Sequence, residues 1–381
     1  MRYRLEELFD LQMGKTPARA NLDYWNGTNK WVSISDLSGY DKYVTNTKEC
    51  ISDLGVSESG IKVVPKNTVI MSFKLSIGKT AITTEDVYTN EAIMAFIDKG
   101  VCEINTDYLY YLFSGTDWNK GTNKAVLGLT LNKATLSKKE IDIPDLHTQN
   151  EVVKKLDALS NVIQLQKLSL DKLDELIKSR FVEMFGDWSI NPNMYDIEAL
   201  DKHIDVLSGF PFDSSLYVND GINICGGLII MPHHINWDEC KHWKTTSGYK
   251  DYILCENDIV MALDRPWISE GFKIAKIDKN HLPALLIQRT ARIRAIDINQ
   301  EYLYHCFDNC GFDNHCNITG SLVPHISLKD IKSFKVMIPP INLQNQFADF
   351  VTQVEKQKAT VQQSIDKLEI LKKSLMQEFF G

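Results

Sequence analysis

The 381-residue sequence predicts an α+β protein: two mixed α/β globular domains related by an approximate two-fold, joined by two long antiparallel coiled-coil helices. Three observations predict it. Sliding the chain against itself by 195 positions pairs residues 143–186 with 338–381 without a gap, and 14 of the 44 pairs are identical. A shorter echo lies upstream, where "INTDYLYYLF" (104–113) matches "INQEYLYHCF" (298–307). The repeated stretch carries an apolar stripe of helical period, while the stretches before each copy alternate short β-rich runs with turn signals. Those two preceding stretches have diverged, sharing only scattered features such as Met-Gly-Lys-Thr at 13–16 beside Ser-Gly-Phe-Pro at 208–211.

Residues 1–142 form the first globular domain. Its strands fall in "KWVSISDL" (30–37), "VVPKNTVIMSF" (63–73) and "EAIMAFI" (91–97), and a helix begins after Asn105. Residues 143–186 are the first helix. Alternating steps of four and three along it meet Val152, Leu156, Leu159, Ile163, Leu170, Leu173, Ile177 and Met184, a seam interrupted by Gln166 and Arg180. Residues 187–337 form the second globular domain, with strands in "GLIIMP" (227–232), "DIVMAL" (258–263), "FKIAKI" (272–277) and "LLIQRTARIRAI" (285–296). Residues 338–381 repeat the helix, with Phe347, Val351, Val354, Val361, Ile365, Leu368, Leu375 and Phe379 in the seam and Lys358 and Lys372 interrupting it. A proline precedes each helix and a glycine closes it. At 1.5 Å per residue each rod spans roughly 55 Å, too long to bury its stripe inside one small domain. The four polar interruptions read as solvated edges of the seam, the other reading being that they fix register between the rods. The first rod carries the chain from one domain to the other, so a two-fold returns the second rod antiparallel to it.

Composition bounds the function. Apolar and charged fractions of 44% and 24% are those of a globular protein. The first residues carry charges where a signal peptide has its apolar core, and no run reaches transmembrane length, so the expectation is a cytoplasmic protein with no membrane partner. Eight cysteines without paired spacing read as reduced thiols. Of the net charge of -8, six units lie in 187–337, and no segment is a basic arm. Phosphate attraction, which dominates non-specific DNA affinity, must then come from local clusters or from a partner.

Chemical motifs fail one by one. Gly14-Lys15-Thr16 and Gly78-Lys79-Thr80 lack the glycine of a phosphate loop, because Phe9 and Phe73 stand in its place. "NPNMY" (191–195) departs from the amino-methyltransferase loop at Asn193 and Met194, and Glu239-Cys240-Lys241 is too short a pattern to mark a nuclease. His305, Cys306, Cys310, His315 and Cys316 are zinc-ligand types. Yet Tyr304-His305-Cys306 align with Tyr110-Tyr111-Leu112, so the stretch reads as a helix bearing thiols. No catalytic residue and no metal site is assigned. What remains is recognition chemistry: Gln288, Arg289, Arg292 and Arg294 form the densest basic cluster, with Arg265 and Trp267 in a loop. The first domain offers Lys15, Arg19, Lys30, Trp31, Lys74 and Lys79 beside Ser33, Ser35 and Ser76. Arginine and glutamine bond guanine and adenine edges, and lysine and serine hold phosphates.

With these features in order, the chain resembles the specificity subunit of type I restriction-modification enzymes over its whole length. The entries "IPDLHTQNEVV" and "IPPINLQNQFA", the endings "SRFVEMFG" and "SLMQEFFG", and "MGKTP", "WVSISDL" and "TVIMSFKLSIGKTAI" carry the resemblance; Gln-Asn stands at 149–150 and 344–345 where many members have Glu-Gln. The resemblance implies a non-catalytic subunit whose two target-recognition domains each read half of an asymmetric, interrupted double-stranded DNA target. It also implies helices that hold two methyltransferase subunits and measure the unread spacer, with restriction subunits in the full complex. S-adenosylmethionine, ATP and magnesium would belong to those partners, none to this chain. The competing reading is a coiled-coil adaptor with two protein- or glycan-binding domains, which the acidic balance favours and the Arg/Lys/Ser-bearing loops oppose.

Overall fold

The computed structural model describes residues 1–74, 76–118, 131–316 and 325–381. The chain divides into two units, residues 1–167 with 362–381, and residues 168–361.

In the first unit the chain runs β1 (Arg2–Arg4), α1 (Leu5–Leu8), β2 (Phe9–Met13), β3 (Trp25–Val32), α2 (Ile34–Gly39), β4 (Glu49–Ile51), α3 (Asp53–Ser59), β5 (Val69–Ser72), β6 (Thr80–Ile82), β7 (Tyr88–Thr89), β8 (Ile93–Asp98), α4 (Thr106–Gly115), α5 (Lys133–Ser137) and β9 (Glu140–Asp142), then enters α6 (Leu146–Phe185). An antiparallel sheet of order β2-β8-β5-β6 stands beside a three-stranded sheet, β4-β3-β7, whose β3 and β7 are parallel. β5 lies inside its sheet with all four residues buried, which is why it reads as an unbroken apolar run and not as an alternation. Leu5, Leu8, Phe9, Phe96 and Phe113 centre the main core, and Val152, Leu156, Leu375 and Phe379 close it from the two long helices.

The second unit continues β10 (Ile197–Ala199), β11 (Ile204–Ser208), β12 (Ile222–Cys225), β13 (Ile230–Met231), β14 (His234–Ile235), β15 (Lys241–Trp243), β16 (Ile259–Ala262), β17 (Trp267–Ile268), β18 (Gly271–Phe272), β19 (Ile274–Lys276), β20 (Ala284–Leu286), β21 (Thr290–Ala295), α7 (Gln300–Asn309), α8 (Phe312–His315), α9 (Leu328–Ser333) and β22 (Lys335–Met337), and the chain then enters α10 (Ile341–Phe380), whose residues from 362 on belong to the first unit. Its sheets are β11-β21-β16-β19 and β15-β12-β20, the latter again with one parallel pair, β12 with β20. The paired outer strands also correspond, β1 with β9 and β10 with β22. Two stretches with little common sequence thus hold one topology. Gly14 and Gly209 occupy the same corner of it, where a Cβ would stand 2.2 Å from Thr89 O and 2.0 Å from Ile287 O.

Local chemistry shifts several expected boundaries. "KWVSISDL" is a strand only to Val32, because Ser33 caps α2 in a reciprocal capping box with Asp36. "LLIQRTARIRAI" breaks at Arg289, whose φ of 63° turns the chain between β20 and β21. In "GLIIMP" only Ile230 and Met231 are strand. The helix expected after Asn105 is α4, with the Asn105 side chain accepting from the amides of Asp107 and Tyr108.

Both long helices are 40 residues, about 60 Å at the α-helical rise. In the first unit Lys155 lies over the Phe379 ring, Gln166 donates to Ser364 Oγ at 2.9 Å and Lys167 to Glu369 at 2.9 Å, so the two segments run in opposite senses. In the second unit Asp174 accepts from Lys358 at 2.6 Å, Arg180 lies over Phe350 and Phe181 packs on Phe347, again in opposite senses. Every seam residue is buried or half-buried. Gln166, Arg180, Lys358 and Lys372 are half-buried too, and two of them bond across to the facing segment, which corrects the reading as solvated edges. The periodicity also missed Phe181 and Phe185, fully buried one step past the seam, where α6 turns its face into the second unit's core.

Each junction is fixed by the same arrangement of an asparagine, a Gln-Asn pair and a proline carbonyl, to which the first junction adds Glu103 O. Buried Gln149 accepts from the Asn105 amide at 2.8 Å and donates to Glu103 O and Pro144 O, while Asn150 accepts from the Asn105 side chain at 2.8 Å. Buried Gln344 accepts from the Asn299 amide at 2.8 Å and donates to Pro339 O, while Asn345 accepts from the Asn299 side chain at 2.9 Å. The two echoes in the sequence are the two sides of this lock.

Candidate nucleic-acid interface

In each unit three connections leave one end of the four-stranded sheet. Met13 of β2 faces Met94 of β8, which faces Met71 of β5, which faces Thr80 of β6. Residues 14–24, 73–74, 76–79 and 90–92 therefore emerge together. In the second unit Ser208, Ala291, Met261 and Ile274 form the same row. Residues 209–221, 263–273 and 287–289 emerge from it. Loops carried side by side on sheet ends are where a rigid scaffold displays binding groups.

The sequence-derived candidates sort by this geometry. Lys15 and Arg19 lie on the first connection of the first unit, and Lys74, Ser76 and Lys79 on the second. Arg19 stacks 3.9 Å over the Trp25 ring and forks onto Glu49, and that hydrogen bond holds its pKa above the ordinary arginine value. Lys15 Nζ donates to Ser59 O. Lys74 lies over the Phe73 ring, and Ser76 and Lys79 are exposed. Between these connections Asn90 donates to Thr16 Oγ1 at 3.0 Å, and Thr16 donates to Glu91, a polar patch with no basic member to mark it in the sequence.

In the second unit Arg265, Trp267, Gln288 and Arg289 lie on the rim. Arg265, Gln288 and Arg289 are exposed, and Trp267 stacks on Phe272 across the β17–β18 hairpin. Asp264 stands 3.3 Å from Arg289 and accepts from His325 at 2.6 Å, so the exposed guanidinium is set against a carboxylate and an imidazole.

Six candidates are placed otherwise. Trp31 is 1% exposed and donates to Lys15 O at 3.1 Å inside the unit. Arg292 is 6% exposed, bonded to Asp205 and Asp251 O. Both are corrections: neither side chain reaches a surface where DNA could lie. Arg294 forks onto buried Asp258, a pairing that raises its pKa, and it is a structural ion pair. A strand period of two puts Arg292 and Arg294 on one face of β21, and that face meets acids contributed by distant segments. Ser33 is the α2 cap, Ser35 accepts from Lys48 Nζ at 3.0 Å, and Lys30 bridges Thr45 O and Glu85.

Among the described residues no three His, Cys, Asp or Glu side chains converge to hold a metal ion, and no helix is long and apolar enough to cross a membrane. Cys306 and Cys310 lie in the second unit's core, where burial pushes the Cys306 thiol well up.

Comparison with known proteins bears on what this frame serves. The model of the type I restriction modification DNA specificity domain matches residues 1–175 and 241–370. The specificity subunit of the type I restriction enzyme MjaIX of Methanocaldococcus jannaschii is 22% identical over 378 residues, covering 91% of this chain and 85% of that one. The EcoAI specificity subunit of Escherichia coli is 35% identical over 131 residues, 33% of this chain and 22% of its own. Among solved structures, a chain from a study of complex assembly and conformational transition of the type I R-M system superposes with a TM-score of 0.61 at 15% identity, covering 100% of this chain and 97% of that one. The S subunit of the type I restriction-modification system from M. genitalium gives 0.54 at 12% identity, covering 100% and 96%.

Proposed function

The chain belongs to the DNA specificity family of type I restriction-modification enzymes and acts as a DNA sequence-specificity subunit, and from that premise we propose that each rim reads one half of a bipartite, asymmetric target in double-stranded DNA. One observation carries the proposal: a single topology recurs in both units while the side chains on its three rim connections differ. A common scaffold with unlike readers is what two different half-sites require.

The exposed rim groups take the roles their chemistry allows. Arg265, Gln288 and Arg289 in one unit and Lys15, Arg19, Lys74, Ser76 and Lys79 in the other supply the donors for base edges and phosphates. The domains are residues 1–142 and 187–337, and the coiled-coil helices of 143–186 and 338–381, related by a two-fold, set the separation of the readers. Two readers one helical turn of DNA apart, about 34–36 Å, address the same side of the duplex, and rods of this length are sufficient to fix that distance. The helices also hold two methyltransferase subunits, which supply S-adenosylmethionine chemistry on adenine, while restriction subunits use ATP and magnesium. The net charge of -8 supports this division, since an acidic chain gains phosphate attraction from its partners.

Deleting the chain from its host, with the partner genes still expressed, removes methylated adenines from one bipartite motif. A methylome read at single-base resolution that stays unchanged refutes the proposal.

A further inference from the structure

In both units a strand of the small sheet passes to an inner strand of the large one through three residues, 90–92 between β7 and β8 and 287–289 between β20 and β21. The hydrogen bonds that frame the two connections match. Asn90 donates its amide to Val32 O at 3.0 Å, and Ala92 O accepts from the Phe73 amide at 3.0 Å. Ile287 donates to Cys225 O at 3.2 Å, and Arg289 O accepts from the Leu263 amide at 2.9 Å. Val32 and Cys225 end β3 and β12, and Phe73 and Leu263 follow β5 and β16. Glu91 and Gln288 are therefore the middle residues of one connection, and both are exposed on the rim. Their side chains have one shape and differ in a single group, an oxygen in one and an NH2 in the other.

A carboxylate on a surface that meets DNA is repelled by phosphate, so Glu91 has to be accounted for. Arg19 does not need it as a counter-charge, since its guanidinium already forks onto Glu49. The carboxylate is also held in place. Asn90 accepts from the Ala92 amide at 2.8 Å and donates to Thr16 Oγ1 at 3.0 Å, and Thr16 in turn donates to Glu91 Oε2. Among the described residues neither Glu91 Oε1 nor the side-chain amide of Gln288 has a hydrogen-bond partner.

We propose that Glu91 and Gln288 hold one base-reading position, which takes a cytosine in one half of the target and an adenine in the other. The inference rests on the DNA-specificity reading above and adds to it which base each half presents there. An ionised carboxylate only accepts, and the donors on the major-groove edge are the amino groups of cytosine and adenine. Adenine sets its N7 acceptor beside N6, against the second carboxylate oxygen, whereas cytosine presents N4 with no acceptor of its own next to it. The amide of Gln288 carries a donor and an acceptor together, which matches adenine N7 and N6.

The test exchanges the two side chains. Glu91→Gln and Gln288→Glu are each made in the full chain coexpressed with its partner subunits. Methylated adenines are mapped at single-base resolution, and the purified complexes are competed with duplexes carrying each of the four base pairs at every position of the motif. Glu91→Gln turns one position of one half from C·G to A·T, and Gln288→Glu turns one position of the other half from A·T to C·G, each preference shifting by about 5- to 150-fold. Retention of the parental preference at every position overturns the inference alone, as does loss of discrimination without the new preference. Competition binding reads the preference without turnover, and where one variant does not assemble the other decides. A parent complex with no preferred motif refutes the DNA-specificity reading and this inference with it.

Discussion

Arg289 and Arg292 are three residues apart in sequence and serve opposite ends of the physics. Arg289 sits in a turn, with 74% of its side chain exposed, and Arg292 lies on the inner face of a strand. Arg289→Ala leaves unfolding within about 0.5 kcal/mol of the parent and weakens target binding by about 1–3 kcal/mol if it bonds a base edge. Arg292→Ala costs about 1–3 kcal/mol of stability, through lost packing and charge-assisted hydrogen bonds. Denaturant unfolding and target binding, measured side by side, separate the two. A second residue-scale expectation concerns pH. Burial pushes Glu301 up, but His305 at 3.2 Å and Lys276 at 2.7 Å hold its carboxyl down at about 2. A folded pKa below the unfolded value of 4.5 contributes stability that is full above pH 4.5 and lost as pH falls toward 2, at most about 3 kcal/mol. Glu301→Gln therefore unfolds more easily than the parent at pH 7 and converges with it near pH 2 in thermal melts. Residue types were legible in the sequence; partners were not, because Asp205 and Asp258 reach Arg292 and Arg294 from 87 and 36 residues away.

The elements that sequence patterns located best are those whose period is long and whose ends are capped. The seam from Val152 to Met184 and from Phe347 to Phe379 follows from helical periodicity alone, and all of it is buried or half-buried. What periodicity cannot show is that a helix changes the neighbour it packs on, which is why Phe181 and Phe185 escaped notice. Short strands such as β13 and β17, of two residues each, carry too little pattern to be found. The Gln-Asn junction was visible as a repeat, and its role appears only when Asn105 and Asn299 are brought to it. Gln149→Ala leaves the Asn105 amide and the Glu103 and Pro144 carbonyls without this partner and costs about 3 kcal/mol in denaturant unfolding. Gln344→Ala costs a similar amount. Little change in either variant would mean that the lock is incidental to the junction.

For the molecule as a whole, duplication explains more than any single motif. Segments that build the lock and the seam stayed recognisably alike, because both copies do the same mechanical work, while the rims diverged until only topology records their kinship. That topology was hidden in the sequence, since corners such as Gly14 and Gly209 are set by backbone approach and leave no longer pattern around them. The central claim is that the units read separately. Exchanging residues 187–337 for those of a relative with a different target, then reading methylated adenines at single-base resolution, tests it most directly. Independent readers predict a hybrid motif with one half replaced, and the other half and the spacer retained. Change in both halves, or in neither, contradicts the account.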